Sequence, residues 1–430
     1  MIGIAFRLNR WLVGGLLVLW GLIAPAGLWA TGDPSATLPQ IPLTDLGSNT
    51  YKGFEGGLYP AGQNSPPVQH TNEGLARANA VQPLDVNGEV DPAGRIIFLS
   101  VGMSNTSREF CAGGTTVSHC NVGTFGYKAY HDPLVNHQTL TMINGARSQQ
   151  VISQWLGELG EPNYERVANI MARMGATNRQ VQVIWVKVAR ADSPLSPPLP
   201  AGDSDAYLLL AQLGELMRTL KLEYPNLQQV FLSSRIYGGY APPTTNSPEP
   251  YAYESGFAVK WLIEAQIEQM ETGEINPITG DLDYNSVAPW LAWGAYLWAD
   301  GSVPRSDGLV WLESDLLSDG THPSGSGIDK VGTLLIDFFK NSPFTTSWFL
   351  NEMAVSTTPT LPTPSPLPLT PTITPPLPTI SPTVWSPQPS PTARFVSDAL
   401  PAVRSDRGNW VVWFFFGGII TFGLARFWRR

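Results

Sequence analysis

The chain has 430 residues with a formal net charge of −9, and 43% of them are hydrophobic against 14% charged. No basic stripe offsets that charge, so a nucleic-acid partner is not expected. Two cysteines and five histidines leave little material for a metal- or disulfide-built scaffold, and the length suits one large α/β domain with accessory ends.

The amino end reads as an export signal. Arg7 and Arg10 precede an apolar run from Trp11 to Ile23, and the small residues Ala24, Ala26 and Ala30 follow. Residues 1–30 are therefore expected to be a signal peptide cut after Ala26 or Ala30. An uncleaved anchor is the alternative, and both carry the body of the protein out of the cytosol. Residues 31–94 are rich in Gly, Pro, Asn and Asp without a sustained period, which predicts an irregular arm.

The segment Arg95 to Asn105, RIIFLSVGMSN, holds Ile96, Ile97, Phe98, Leu99 and Val101 in one short run. That density predicts a strand buried on both faces of a parallel sheet. The run stops at Gly102, and Ser104 follows at the carboxyl edge of the sheet, where open α/β folds place their sites. A hydroxyl there becomes a nucleophile if a base reaches it; without one, a Gly-x-Ser turn is only structural. Cys111 and Cys120 lie just beyond and are expected to be bonded in an oxidising compartment. A ring of about ten residues contributes somewhat less than the roughly 3 kcal/mol expected for fifteen. Residues 113–141 look loop-like and carry His119, His131 and His137, with no i, i+4 pair and no HExxH pattern, so no metal is expected.

Asn144-Gly145 precedes an amphipathic helical stretch, Gln149 to Leu159, with Val151, Ile152, Trp155, Leu156 and Leu159 on one side. A glycine at the mouth of a helix leaves N–H groups free to face an anion. A second helix is predicted over Tyr164–Met174, and a strand over Gln180–Val188 with Lys187 near its carboxyl end. Asp203–Glu223 predicts a long helix with Ser204 as a possible cap, and Gln229–Ser233 a third strand. Helices are expected again over Glu254–Glu271 and Gly325–Lys340. Apolar strands alternating with helices imply a parallel sheet covered on both faces. Asp281 to Asn285 imitates the start of a calcium loop, but Ser286 stands where glycine is needed and Ala292 where the closing glutamate belongs.

From Pro359 to Thr392 proline recurs with Thr, Ser and Leu, a composition that prefers extended polyproline II to a packed core. At about 3.1 Å per residue this segment would be a stalk of up to roughly 100 Å within residues 350–409. Trp410 to Ala425 is an apolar run followed by Arg426, Arg429 and Arg430. Residues 410–428 are therefore expected to be a membrane anchor with a basic cytoplasmic tail, although the strictly apolar part spans only about 24 Å.

Serine hydrolysis needs a nucleophile, a base, a group that orients the base, and donors for the oxyanion. Ser104 is the candidate nucleophile. His322, within Asp319-Gly320-Thr321-His322-Pro323-Ser324, is the only histidine in the second half of the chain. Asp319 can bond its other ring nitrogen within the same turn; the bland alternative makes His322 a cap of the following helix. Backbone N–H groups of Ser104 and Gly145 are the expected oxyanion donors.

Gly102-x-Ser104-Asn105 after the first strand, Asn144-Gly145, and Asp319-x-x-His322 before the last helix together resemble the SGNH (GDSL-like) hydrolase superfamily. The GxSN form is most similar to the branch of sialate O-acetylesterases and acetylxylan esterases. The resemblance runs over about Arg95 to Lys340. It implies a flavodoxin-like three-layer α/β/α sandwich within residues 95–349 and hydrolysis of ester bonds without a cofactor, with Ser104, Asp319 and His322 as triad. One part departs. Trp185-Val186-Lys187-Val188 stands where the superfamily carries an asparagine in Gly-x-Asn-Asp or a glutamine in Trp-x-Gln-Gly. Lys187 either donates to the oxyanion from its ammonium or pairs with an acid at the sheet edge.

Aromatic residues gather in the loop-rich stretches between the last strands: Tyr237, Tyr240, Tyr251, Tyr253, Trp290, Trp293, Tyr296, Trp298 and Trp311. They could form a platform for sugar rings or simply fill core. Asn105, Tyr237, Tyr240, Trp293 and Trp298 are the candidate substrate contacts. The expected function is an exported, membrane-tethered esterase that removes acyl groups, acetyl first among them, from extracellular carbohydrate. The alternative is a binding or adhesion module on the same fold with weak or lost catalysis.

Overall fold

The computed structural model describes residues 40–191 and 193–351. The expected signal peptide, the proline-rich stalk and the apolar C-terminal run lie outside the described residues. Within them, no helix is long and apolar enough to cross a membrane.

Five strands form the main sheet: β1 (Ile96–Gly102), β2 (Leu140–Asn144), β3 (Val181–Lys187), β4 (Gln229–Leu232) and β5 (Trp290–Trp293). They run parallel in the order β2-β1-β3-β4-β5, the doubly wound order of flavodoxin-like folds. Every residue of β1 and β3 is buried, because alternate side chains feed two different layers. Ile97, Leu99 and Val101 join Ile184 and Val186 in one core, while Ile96 and Phe98 join Val183 and Trp185 in the other. Each fully buried side chain of this size contributes about 1.5–3 kcal/mol of transfer free energy.

The longer helices among the described residues are α1 (Val68–Ala80), α2 (Ser104–Cys111), α3 (Phe125–His131), α4 (Gly157–Arg173), α5 (Asp205–Glu223), α6 (Tyr251–Thr272) and α7 (Gly325–Asn341). Apolar residues of α4, α5 and α6 pack into the first core, and those of α2, α3 and α7 into the second. The result is an α/β architecture with a five-stranded parallel sheet flanked by helices.

Four expectations are corrected by the structure. The arm of residues 31–94 is not wholly irregular, since it contains α1, whose buried residues are only His70, Gly74 and Ala78. That stripe has helical spacing but too little apolar character to register as a period. Residues 113–141 are not all loop, since they contain α3 and the start of β2, and the tryptophan-rich stretch contains the short strand β5. The two helices expected between Gln149 and Met174 are a 3₁₀ turn at Ile152–Trp155 and then the single helix α4. Gly145 therefore opens a loop rather than a helix. Ser204 does occupy the N-cap position of α5, but its hydroxyl makes no cap bond.

Candidate active site

The carboxyl ends of β1 and β3 lie side by side, with Gly102 opposite Lys187. A Cβ on Gly102 would collide with the Lys187 carbonyl and the Thr106 hydroxyl, so only glycine lets the turn pass this close to β3. After it, Met103 is the N-cap of α2 and Ser104 its first residue. The Ser104 N–H thus lies in the first helical turn, where backbone donors have no intrahelical acceptor.

Two contacts fasten α2 to the last residue of β3. The Thr106 hydroxyl donates to the Lys187 carbonyl, and the Lys187 ammonium donates to both Glu109 oxygens at 2.6 Å. Lys187 and Glu109 are both fully buried. Burial pushes the Glu109 carboxyl up against the opposing pull of Lys187. It draws the Lys187 ammonium down to about 8 despite Glu109. Of the two positions the sequence leaves open for Lys187, the structure places it in the ion pair, not at a free oxyanion.

The candidate base, His322, lies 218 residues further along the chain. Asp319 Oδ1 accepts the backbone N–H groups of Thr321 and His322 at 2.9 Å each, and Oδ2 lies 2.7 Å from His322 Nδ1. Burial works to raise the Asp319 pKa, but the bonds from the His322 and Thr321 N–H groups and the His322 ring outweigh it and hold the carboxyl at about 2. His322 Nε2 lies 2.8 Å from Ser104 Oγ. Ser324, not His322, occupies the N-cap position of α7. The turn itself needs Gly320, whose φ is +62° and whose Cβ would strike the Tyr240 carbonyl.

Asn105 is completely buried, and its amide donates to the Thr321 carbonyl at 2.9 Å. It is a strut between the nucleophile's helix and the histidine's turn, which corrects its expected role as a substrate contact. Trp293 and Trp298 are corrected likewise. They are 3% and 0% exposed, with their indole N–H groups on the Leu58 carbonyl and Glu249. Tyr237 and Tyr240 remain half-buried, their ring centroids 5.1 Å apart and edge-on.

The Gly145 corner sits directly after β2. Asn144 accepts from Ser100 Oγ at 2.8 Å and donates to the carbonyls of Ser107 and Cys111 at 3.0 and 2.9 Å, so it ties β1, β2 and α2 together. Arg166 of α4 donates to the Gly145 carbonyl at 2.6 Å. A Cβ at Gly145 would press on the Ser100 carbonyl and the Leu99 side chain. Cys111 and Cys120 are joined by a disulfide, and within the ring Thr115 accepts the Asn144 N–H at 2.9 Å. Thr106, Glu109, Asn105 as a strut, and Arg166 escape sequence reading, because each acts through a partner remote in sequence.

No family model matches the chain, and no curated protein does. Among solved structures it is similar to an acetylxylan esterase of Geobacillus stearothermophilus at 14% identity, over 60% of this chain and 98% of that one, with a TM-score of 0.33. A protein of Arabidopsis thaliana matches at 12% identity over 57% and 98% of the two chains, TM-score 0.32. A protein of Bacillus subtilis matches at 12% over 59% and 58%, TM-score 0.30. Likenesses this loose say nothing of the chemistry, which rests on the distances above. The structure brings Ser104, His322 and Asp319 into one hydrogen-bonded series.

Proposed function

We propose that the chain is a serine esterase of SGNH type that removes acyl groups, acetyl first among them, from extracellular carbohydrate. The observation that carries this reading is the unbroken series Ser104 Oγ, His322 Nε2, His322 Nδ1, Asp319 Oδ2 with contacts of 2.8 and 2.7 Å. His322 takes the hydroxyl proton as Ser104 Oγ attacks the ester carbonyl, then gives it to the leaving alcohol as the C–O bond breaks. Water, deprotonated by the same ring, releases the acid from the acyl-serine. The Ser104 and Gly145 N–H groups are the donors for the oxyanion. Asp319, ionised at neutral pH, holds the Nδ1 proton in place.

Full-length protein should release acetate from an acetylated glycoside, and Ser104→Ala should abolish release while folding normally. Release that persists in Ser104→Ala would reject the mechanism. One observation favours a second reading, a glycan-binding module with feeble turnover: Lys187 is engaged by Glu109, which leaves two backbone donors. Binding without turnover in both forms would support it.

The proposal extends to export and tethering, which rest on the residue pattern of the two ends alone. Protease added to intact cells should release the catalytic unit by cutting between Pro359 and Thr392. No release from intact or opened cells would reject an exposed stalk.

A further inference from the structure

The two backbone donors assigned to the oxyanion differ in what holds them. Ser104 opens α2 and is fixed by that helix. Gly145 belongs to the loop between β2 and the 3₁₀ turn at Ile152–Trp155. Glycine is required there by the close approach to the Ser100 carbonyl, but by itself it leaves both backbone torsions free. Four residues on, Gln149 takes a φ of +69° without being glycine. Such a backbone persists only where its surroundings hold it.

The loop is held from two sides. Towards the sheet, the Arg147 N–H donates to the Gly102 carbonyl at 3.2 Å and the Ile152 N–H to the Ala189 carbonyl at 3.0 Å. From the other side α4 supplies two side chains one turn apart. The Asn163 amide donates to Gln150 Oε1 and to the Gln154 carbonyl. Arg166 Nη2 donates to the Gly145 carbonyl at 2.6 Å and to Asn163 Oδ1 at 3.3 Å. Arg166 Nε is sealed from solvent and meets no acceptor among the described residues. The guanidinium thus sits where it reaches Gly145 while one of its own donors stays unmet, a costly placement that needs a reason. Gly145 is buried, so without Arg166 its carbonyl would have to turn in search of another donor. That rotation would carry the glycine's N–H out of line as well.

We propose that Arg166 is a positioning residue for the oxyanion, holding the Gly145 peptide so that its N–H faces the ester oxygen. The inference rests on the esterase reading and names what keeps one of its donors in place.

The test compares full-length wild type, Arg166→Lys and Arg166→Met in the hydrolysis of an acetylated glycoside. Calorimetry with phenylboronic acid, whose tetrahedral adduct on a serine places an oxygen where the oxyanion forms, supplies a second readout. Arg166→Met should lower kcat by roughly 10–100-fold with KM nearly unchanged, less than the 10²–10³ for outright loss of a donor. The boronic acid should bind more weakly by a similar factor. Arg166→Lys should recover part of both, since an ammonium can donate to the same carbonyl. A folded Arg166→Met of normal kcat overturns the proposal. So does a lower kcat with unchanged boronate affinity, the result expected if Arg166 only stiffens the fold. If Arg166→Met does not fold, Arg166→Lys carries the comparison by the same two readouts. If wild type cleaves no ester, boronate affinity decides alone. Affinity that Arg166 substitution weakens keeps the assignment while the esterase reading falls, and equal or absent binding rejects it.

Discussion

Asp319→Asn should lower kcat by roughly 10³–10⁴-fold with little change in KM and no loss of fold. The reasoning is one of tautomers. Oδ1 accepts the Thr321 and His322 N–H groups, and an asparagine carbonyl oxygen can keep both bonds. Its amide nitrogen then faces His322 Nδ1, where Oδ2 now accepts. An N–H donor there makes Nδ1 the acceptor and moves the ring proton to Nε2, the atom that must receive the Ser104 proton. In serine hydrolases this error alone costs about 10⁴. Steady-state kinetics with a thermal melt checks it: a variant of near-normal kcat would remove Asp319 from the triad, and a large loss of Tm would make its role structural.

Lys187→Met should act on stability instead. Removing one partner of a buried ion pair strands the other charge, at a cost of about 3–5 kcal/mol, or a fall in Tm of roughly 5–15 °C. The stranded group is Glu109, whose carboxyl burial already pushes up, so it would take a proton. The protein that remains folded should turn over near the normal rate, because the ammonium has both Glu109 oxygens in its grasp. Adding Glu109→Met should recover most of the lost stability, as apolar replacements of buried ion pairs do. A melt that stays unchanged while kcat drops 10²–10³-fold would return Lys187 to the oxyanion.

The difference between these two residues also shows what sequence could reveal. Asp319 and His322 lie three apart, so their contact is local and readable from a tetrad of residues. β1 is readable for the same reason, since seven consecutive residues carry its burial. Lys187 and Glu109 are 78 apart. Neither has a neighbour that announces the other, and only the parallel pairing of β1 with β3 brings them together. Trp293 and Trp298 mislead for a related reason. An aromatic ring suits a sugar platform or a core equally, and only burial distinguishes them. Asn105, beside the nucleophile in sequence, suggests a ligand contact, yet its amide reaches a carbonyl 216 residues away. Helix α1 stays hidden because the face it buries, His70, Gly74 and Ala78, carries too little apolar character to show a period.

The bond between Ser104 and His322 spans 218 residues, and that interval sets an order of events during synthesis. β1 and Ser104 emerge early, but the ring that would activate the hydroxyl belongs to the turn before α7, after every strand of the sheet. Contacts so remote in sequence form late, once loop-closure entropy has been met by the intervening layers. A nascent chain ended before Asp319 holds all five strands but neither the His322 turn nor α7, so Ser104 is still an ordinary alcohol at the sheet edge. Turnover would therefore report completion of the whole domain, appearing in refolding only after α7 docks and lagging behind the gain of secondary structure.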